Sequence, residues 1–196
     1  TVTNVNEAPV ITSGAAVSAA ENQTAATTVA STDVDGGAPS YTISGGADSA
    51  LFTIDAVTGV LTFNTAPNYE VPTDAGADNV YNVTVQVSDG NGGTATQAIA
   101  VTVTNVNEAP VITSAATVSV AENQTSAITV TSTDVDGGAA VYTITGGADQ
   151  TLFSINSSTG VLTFNAAPNF EIPTDAGANN IYDVTVQVSD GNGGTA

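Results

Sequence analysis

The sequence of 196 residues lacks lysine, arginine, histidine and cysteine altogether. Histidine and cysteine are the usual protein ligands of zinc, iron and copper, and they supply the commonest general base and the thiol nucleophile. Lysine and arginine are the side chains that bind phosphate, so we expect no binding to nucleic acid or to anionic membrane surfaces. Because no long apolar run is present, we also expect no membrane insertion in this segment. These absences exclude most transition-metal, thiol-dependent and nucleic-acid-binding functions.

The residues that are present make the chain strongly acidic. Aspartate and glutamate number 19, which gives a formal net charge of −19. Hydrophobic residues make up 41% of the chain, enough to form a core, although aromatic residues make up only 5% of the chain. The abundant valine, threonine, asparagine and glycine favour short strands and tight turns over helices. No initiator methionine, signal peptide or long apolar run is present, so we expect a segment of a longer chain.

The sequence contains one unit twice. The motif TNVNEAPVITS begins at Thr3 and again at Thr104, an offset of 101 residues that the rest of the sequence keeps without gaps. Near-identical neighbours predict a tandem array with further copies on either side. We predict repeat 1 at residues 1–104, of which residues 1–6 are the tail and linker of a preceding repeat, and an incomplete repeat 2 at residues 105–196.

Alternation with a period of two predicts strands in each repeat. In YNVTVQVSD, Val83, Val85 and Val87 share one face, the turn DGNGG follows, and TQAIAVTVTN completes a hairpin. With five earlier strands and no helical period, the sequence predicts an all-β fold of tandem, seven-stranded, antiparallel Greek-key β-sandwiches. The second copy lacks its last strand. Either the sequence has an arbitrary boundary there, or another molecule supplies the strand.

The acidic residues fall in strand-end loops, which gather at the two ends of a sandwich. If the repeats stack end to end, six carboxylates meet at the junction: Glu21, Glu70, Glu108, Asp134, Asp136 and Asp190. Two carboxylates about 4 Å apart repel by about 4 kcal/mol at an effective dielectric constant near 20, and no basic residue offsets this. Ca²⁺ accepts about six to eight oxygen ligands in irregular geometry, whereas Mg²⁺ requires a near-octahedral shell. The sequence therefore predicts calcium at the junction.

Five motifs, in order, resemble those of the cadherin family. FTIDAVTGVLTFNTAPNYE at Phe52–Glu70 is similar to the cadherin strands that lead to an acidic loop, and NVNEAP at Asn105–Pro110 is similar to the cadherin linker. AEN, DVDG and VSDGNGG resemble the other three acidic motifs. The near-identical copies and the extra PTDAGADN loop resemble the cadherin-like arrays of large bacterial surface proteins. The resemblance implies cadherin/Ig-like domains with calcium between successive domains, where it stiffens the rod.

The resemblance also implies a ligand set. At the junction inside this sequence the implied ligands are Glu21, Asn68, Glu70, Asn105, Asn107, Glu108, Asp134, Asp136 and Asp190. The same motifs imply half-sites at the start, Asn4, Asn6, Glu7, Asp33, Asp35 and Asp89, and at the end, Glu122, Asn169 and Glu171. Asn68 and Asn105 stand where the family usually has aspartate, which favours a weak or missing ion among those at the junction.

The remaining acidic residues have other expected roles. Asp74 and Asp175 in the PTDAG loops are candidates for additional ligands, but we favour a role without metal for both. We expect roles in solubility and turns for four further aspartates: Asp48, Asp55, Asp78 and Asp149.

Two classes of function fit the sequence, and a third does not. The first is a calcium-rigidified extender segment of an extracellular adhesin or surface filament, secreted or on the bacterial cell surface, with neighbouring repeats of the same or an identical chain as partners. The second is a homophilic or carbohydrate-binding adhesion module with a polysaccharide or cell-surface ligand, or a fibre subunit that assembles by strand donation. We disfavour an enzyme, because no nucleophile–base pair is available and the acidic residues recur at strand ends in each copy.

Overall fold

The computed structural model describes all of residues 1–196 and divides into two compact units. Unit 1 is Thr1–Val106 and unit 2 is Asn107–Ala196. Both consist of short strands and turns, and the only helical segments are two 3₁₀ turns. Neither unit contains a helix with the length and apolar character needed to cross a membrane.

Unit 1 has nine strands of 2 to 11 residues, where the sequence predicts seven. Their bounds are β1 Val10–Ile11, β2 Ala16–Ala20, β3 Ala25–Thr28, β4 Ser31–Thr32, β5 Ser40–Gly45, β6 Phe52–Ile54, β7 Val60–Phe63, β8 Val80–Ser88 and β9 Thr94–Thr104. The difference lies in β1 and β4, which have two residues each and pair only with each other. A 3₁₀ turn at Ser49–Leu51 joins β5 to β6.

Two sheets form the sandwich of unit 1. One has the strand order β2-β9-β8-β5 and the other has the order β3-β7-β6. All neighbours are antiparallel except β2 and β9, which run parallel with Ala16 opposite Ala100. The expected antiparallel fold therefore fails for this one pair, because the first long strand joins the sheet beside the last one.

The hairpin predicted around DGNGG is confirmed. Strands β8 and β9 pair with Val83 opposite Ile99 and Val87 opposite Ala95. Val83, Val85 and Val87 are buried, as the alternation predicts, and so is Ile99 on the facing strand. The buried side chains of this hairpin lie on the inner face of the four-stranded sheet and form part of the core of unit 1.

The few aromatic residues of unit 1 are concentrated in its core. Phe52 of β6 and Phe63 of β7 face Tyr81 of β8, so the contact joins the two sheets. The ring centroids of Phe63 and Tyr81 are 5.2 Å apart at an interplanar angle of 82°, and those of Phe52 and Phe63 are 4.6 Å apart. Such pairs contribute about 0.5–1.5 kcal/mol beyond the area that they bury.

Unit 2 repeats this arrangement with seven strands. They are β10 Val111–Ile112, β11 Ser126–Thr129, β12 Ser132–Thr133, β13 Val141–Gly146, β14 Phe153–Ile155, β15 Val161–Phe164 and β16 Thr185–Ser189. They form a three-stranded sheet β11-β15-β14 and two pairs, β13-β16 and β10-β12. The counterpart of β2, residues 117–121, forms no strand because the sequence contains no counterpart of β9 to pair with it.

Two aspartates of each unit are buried inside a loop network. Asp48 is only 3% exposed, and its two oxygens accept hydrogen bonds from the backbone N–H groups of Ala75 and Asn82, both at 2.7 Å. Asp74 is also buried and accepts two bonds from backbone N–H groups of its own loop, each at 3.1 Å. Their counterparts Asp149 and Asp175 are buried in the same way. The expected solubility role is therefore wrong for Asp48 and Asp149, which hold the PTDAG loop to the sheet.

Candidate metal centre

In unit 1, three chain segments bring acidic and amide side chains together. The backbone N–H of Glu7 donates to Oδ2 of Asp35 at 2.7 Å, and the side-chain amide of Asn4 donates to Oδ1 at 2.7 Å. The side-chain amide of Asn6 donates to Oδ2 of Asp89 at 2.7 Å. The N-terminal cluster of unit 1 comprises these residues and Asp33: Asn4, Asn6, Glu7, Asp33, Asp35 and Asp89.

The loop DVDGG, directly after β4, contributes a carboxylate with an unused oxygen. The backbone N–H of Asp35 donates to Oδ1 of Asp33 at 2.8 Å. The second oxygen of Asp33, Oδ2, is buried and has no hydrogen-bond partner. Gly36 and Gly37 have φ values of +75° and +116°, so the loop requires glycine at both positions. A carboxylate oxygen buried in this way is costly unless a cation or a donor reaches it.

The turn DGNGG fixes a further carboxylate of the cluster. Asp89 is 8% exposed, and its Oδ1 accepts hydrogen bonds from the backbone N–H groups of Asn91 at 2.7 Å and Gly93 at 2.9 Å. A side chain at position 93 would collide with Oδ2 of Asp89, so this glycine is required by the contact. The turn between β8 and β9 therefore also fixes the orientation of the Asp89 carboxylate, which the sequence predicts as a ligand.

Unit 2 contains the same arrangement. Asn107 donates from its side-chain amide to Oδ2 of Asp190 at 2.7 Å, and the backbone N–H of Glu108 donates to Oδ2 of Asp136 at 2.7 Å. The N–H of Asp136 donates to Oδ1 of Asp134 at 3.0 Å, and Oδ2 of Asp134 is again buried without a hydrogen-bond partner. The N-terminal cluster of unit 2 is Asn107, Glu108, Asp134, Asp136 and Asp190. Because the unused oxygen recurs at the same position, it is a property of the motif.

The clusters keep negative charge concentrated. The side-chain amide of Asn6 lowers the pKa of Asp89, and the equivalent contact lowers the pKa of its counterpart in unit 2. The backbone N–H of Glu7 lowers the pKa of Asp35. The pKa of the Glu7 side chain is instead raised, by its hydrogen bond to Asp35 and by repulsion from that carboxylate. Hydrogen bonds thus stabilise Asp35, Asp89 and Asp190 as anions, while the hydrogen bond to Asp35 and its charge disfavour ionisation of Glu7.

A second acidic group of unit 1 surrounds Glu21, which follows β2 and is only 2% exposed. Its Oε2 accepts a hydrogen bond from the backbone N–H of Tyr69 at 2.7 Å, and its Oε1 accepts one from Val106 at 2.8 Å. Glu70 places a carboxylate oxygen within 4.8 Å of one from Glu21. These backbone donors are not identifiable from residue types, and sequence reasoning missed them.

The C-terminal cluster of a unit is defined by the positions of Glu21, Asn68 and Glu70. Oδ1 of Asn68 accepts the backbone N–H of Val71 at 2.6 Å, and Asn169 makes the same kind of bond in unit 2. Glu122 keeps a bond from the N–H of Phe170 at 2.9 Å but is exposed, because the sequence contains no counterpart of its second donor. Unit 2 therefore holds a looser version of this cluster.

Two groups of predicted ligands differ from the others, one in the atom that makes its hydrogen bonds and one in its exposure to solvent. Asn6 and Asn107 contact aspartates through the amide nitrogen, which positions those carboxylates, whereas the amide oxygen is the atom able to bind a cation. Asn105 and Glu171 are exposed, the first just after β9 and the second in the loop after β15. The other predicted ligands fall in the clusters of their own units.

Sequence reasoning also missed the structural aspartates Asp48 and Asp74. A signal for them was present in the repeat itself. Both positions keep aspartate in the second copy, at Asp149 and Asp175, whereas Asp55 and Asp78 are replaced by asparagine there. Each oxygen of Asp74 already accepts a hydrogen bond from a backbone N–H group, and the buried side chain is therefore less suited to the ligand role considered for it.

The family model of the bacterial Ig domain matches the sequence twice, at residues 6–102 and at residues 107–196. This chain belongs to the bacterial Ig domain family. Each of its two Ig domains corresponds to one of the compact units. Among curated proteins, none shows significant sequence similarity to the chain.

Solved structures with a similar fold include cadherin ectodomains. Domains EC1-2 of human protocadherin-24 align with a TM-score of 0.61 at 21% identity, covering 94% of this chain and 88% of that one. Domains EC22-24 of mouse cadherin-23 align with a TM-score of 0.56 at 22% identity, covering 96% and 62% respectively. Extracellular cadherin domains 3-6 of protocadherin gamma B2 align with a TM-score of 0.54 at 22% identity and 96% coverage of this chain, which spans 50% of that structure. The predicted fold, tandem cadherin/Ig-like domains, is confirmed.

Proposed function

We propose that these two Ig domains form a calcium-stiffened extender segment of an extracellular adhesin or surface filament. The observation that carries the proposal is the buried Oδ2 atom of Asp33, and of its counterpart Asp134, for which the protein provides no hydrogen-bond donor. A bound cation accounts for such an oxygen, and the chain itself has no lysine, arginine or histidine to do so. Carboxylate and amide oxygens in an irregular set favour Ca²⁺ over Mg²⁺.

Two consecutive residues of the linker contact the two groups of residues proposed to bind calcium at the junction. Val106, whose N–H donates to Glu21, is followed directly by Asn107, whose side-chain amide donates to Asp190. One peptide bond therefore joins a residue that contacts the C-terminal cluster of unit 1 to a residue of the N-terminal cluster of unit 2. The junction ligands of the proposal are Glu21, Asn68, Glu70, Asn105, Asn107, Glu108, Asp134, Asp136 and Asp190. The N-terminal cluster of unit 1 is proposed as the equivalent half-site, as are Glu122, Asn169 and Glu171 of unit 2.

Calcium would supply the positive charge that the chain lacks. Carboxylates about 4 Å apart repel by about 4 kcal/mol at an effective dielectric constant near 20, so without a cation this repulsion favours a flexible linker. With the cation bound, the same carboxylates fix the linker to both of its neighbours. The proposed binding partners of this segment are neighbouring repeats of the same or an identical chain. Support for a position outside the cell comes from the family and from relatives whose domains are described as extracellular.

Thermal unfolding of the two-domain chain in calcium and in EDTA tests the proposal. Calcium at a hundredfold excess over its dissociation constant stabilises a one-site protein by about 2.7 kcal/mol. For a chain of this size each kcal/mol raises the Tm by about 2–4 °C, so we expect a rise of at least about 5 °C in calcium. Magnesium at the same concentration should give a smaller rise. The same Tm in calcium and in EDTA would exclude a calcium-stabilised segment.

A further inference from the structure

The turn DGNGG contains the two Asn–Gly pairs of the chain, Asn91–Gly92 and Asn192–Gly193. All four residues are exposed. A side chain built on either glycine would meet no other atom within 4 Å, so the space around both pairs is open. The two glycines have φ values of +106° and +111°, which means that the turn itself requires glycine after each asparagine.

Each unit has two further pairs in which an acidic residue precedes glycine, but those side chains are restrained. Asp35, before Gly36, accepts hydrogen bonds from the backbone of Glu7 and the amide of Asn4. Asp89, before Gly90, accepts bonds from backbone N–H groups of its own turn. The side-chain amides of Asn91 and Asn192, in contrast, have no hydrogen-bond partner within the protein. The asparagine of the turn is therefore the side chain free to reorient towards the backbone.

We propose that Asn91 and Asn192 are sites of spontaneous deamidation. The backbone nitrogen of the following glycine attacks Cγ of the asparagine, a C–N bond forms, the proton of the N–H passes to the departing amide, and ammonia leaves. The product is a five-membered succinimide. Water then adds at one of its two carbonyl carbons: opening of one C–N bond gives aspartate, and opening of the other gives isoaspartate, whose main chain runs through the former side chain. Water is the only co-reactant.

The modification acts on the N-terminal cluster through the turn. The backbone N–H groups of Asn91 and Gly93 both bind Oδ1 of Asp89. Isoaspartate at position 91 adds one main-chain carbon between these two donors, so both can no longer reach the carboxylate with their present geometry. Each event also adds one negative charge beside the cluster. Deamidation therefore loosens Asp89, and the same step at position 192 loosens Asp190.

Mass spectrometry of the aged protein tests this inference. Because the chain lacks lysine and arginine, trypsin provides no peptide map, but a protease that cleaves after glutamate separates residues 71–108 and 172–196 from residues 22–70 and 123–171. The purified chain is incubated in mildly alkaline, calcium-free buffer and sampled over time. Asn22 and Asn123 are the internal controls, since both are exposed turn asparagines that precede glutamine. We expect Asn91 and Asn192 to lose their amides at least about tenfold faster than these controls.

The double variant Asn91→Gln with Asn192→Gln provides the matched control, because its longer side chains do not form the five-membered ring. It should fold as the parent does and show no amide loss in residues 71–108 or 172–196 beyond that of the controls. Equal rates at positions 22, 91, 123 and 192, or products without isoaspartate, would overturn the inference. No metal enters the reaction or the readout, so this outcome is independent of the calcium proposal.

Discussion

The backbone N–H of Val106 donates a hydrogen bond to Oε1 of Glu21 at 2.8 Å. This bond ties the last residue of unit 1 to the end of β2, while the other oxygen of Glu21 holds the backbone of Tyr69. A buried carboxylate thus positions two chain segments of unit 1 and lies near the oxygens of Glu70. The chain leaves unit 1 from a fixed point, which any stiffening of the linker requires.

Glu21→Ala should destabilise unit 1 in calcium-free buffer. A hydrogen bond to a charged group contributes about 1.5–3 kcal/mol, so the loss of two such bonds should cost about 3 kcal/mol or more. The matched control is Glu122→Ala, since Glu122 is exposed and holds one backbone N–H. Its cost should be under about 1 kcal/mol at an exposed site. Urea unfolding of both variants measures the difference, and equal costs would contradict the structural role of Glu21.

Asp136→Asn should weaken calcium binding while Asp183→Asn should not. Both substitutions remove one charge from unit 2, but only Asp136 belongs to the N-terminal cluster. Asp183 is exposed, and its counterpart in unit 1 is already asparagine. Loss of one carboxylate ligand should raise the calcium Kd at least about tenfold, which corresponds to about 1.4 kcal/mol. Calorimetric titration of the two variants checks this, and an equal effect would show that general charge, not position, controls binding.

Gly59→Ala should be more destabilising than Gly36→Ala. Both glycines have positive φ, +70° and +75°, so each substitution costs about 1–2 kcal/mol of backbone strain. At position 59 the new methyl group would also collide with the carbonyl of Val29 and lie 3.3 Å from the ring of Tyr41, whereas at position 36 it would meet nothing within 4 Å. Denaturant unfolding without calcium should therefore show a clearly larger loss for Gly59→Ala. Similar losses would contradict this prediction and would show that the carbonyl of Val29 moves away from the new methyl group at little cost in stability.

The free energy of unfolding should decrease in acid because Asp74 and Asp175 become protonated, even without bound metal. Burial raises the pKa of Asp74, but hydrogen bonds from the backbone N–H groups of Asp78 and Asn79 outweigh it, so the pKa lies below the ordinary value of 3.8. The N–H of Asn179 lowers the pKa of Asp175 in the same way. A depressed pKa stabilises the folded state above the unfolded pKa, and this contribution is lost as the pH falls through the folded pKa.

The measurement for this prediction is the free energy of unfolding in calcium-free buffer from neutral pH to below 3.8. Stability should drop as the pH passes below that value. The double variant Asp74→Asn with Asp175→Asn should be less stable at neutral pH and should show a shallower acid dependence. An unchanged pH dependence in that variant would assign acid unfolding to other carboxylates.

Much of the fold follows from local patterns in the sequence. The alternation of Val83, Val85 and Val87 identifies the buried face of β8, and DGNGG identifies the turn after it. The parallel pairing of β2 with β9 joins residues more than eighty positions apart, with Ala16 opposite Ala100. Neither strand carries a local signal for that choice, because sheet order depends on the packing of the whole core.

The candidate site is likewise predictable from the sequence only in part. Motif order predicts Asp33, Asp35 and Asp89 as members of one site, and hydrogen bonds link Asp33 to Asp35, Asp35 to Glu7, and Asp89 to Asn6. What the motifs do not reveal is which atoms are already occupied. Oδ1 of Asp33 is occupied and Oδ2 is not, a distinction that depends on where one backbone N–H points.

A crystal structure of the chain grown in millimolar calcium, with an anomalous difference map at the clusters, tests the proposed calcium site most directly. We predict an ion about 2.3–2.6 Å from Oδ2 of Asp134, with oxygens of Asp136 and Asp190 in the same shell. A map without an ion there, in which Oδ2 of Asp134 instead binds a protein donor or water, would contradict calcium as the link between the two Ig domains.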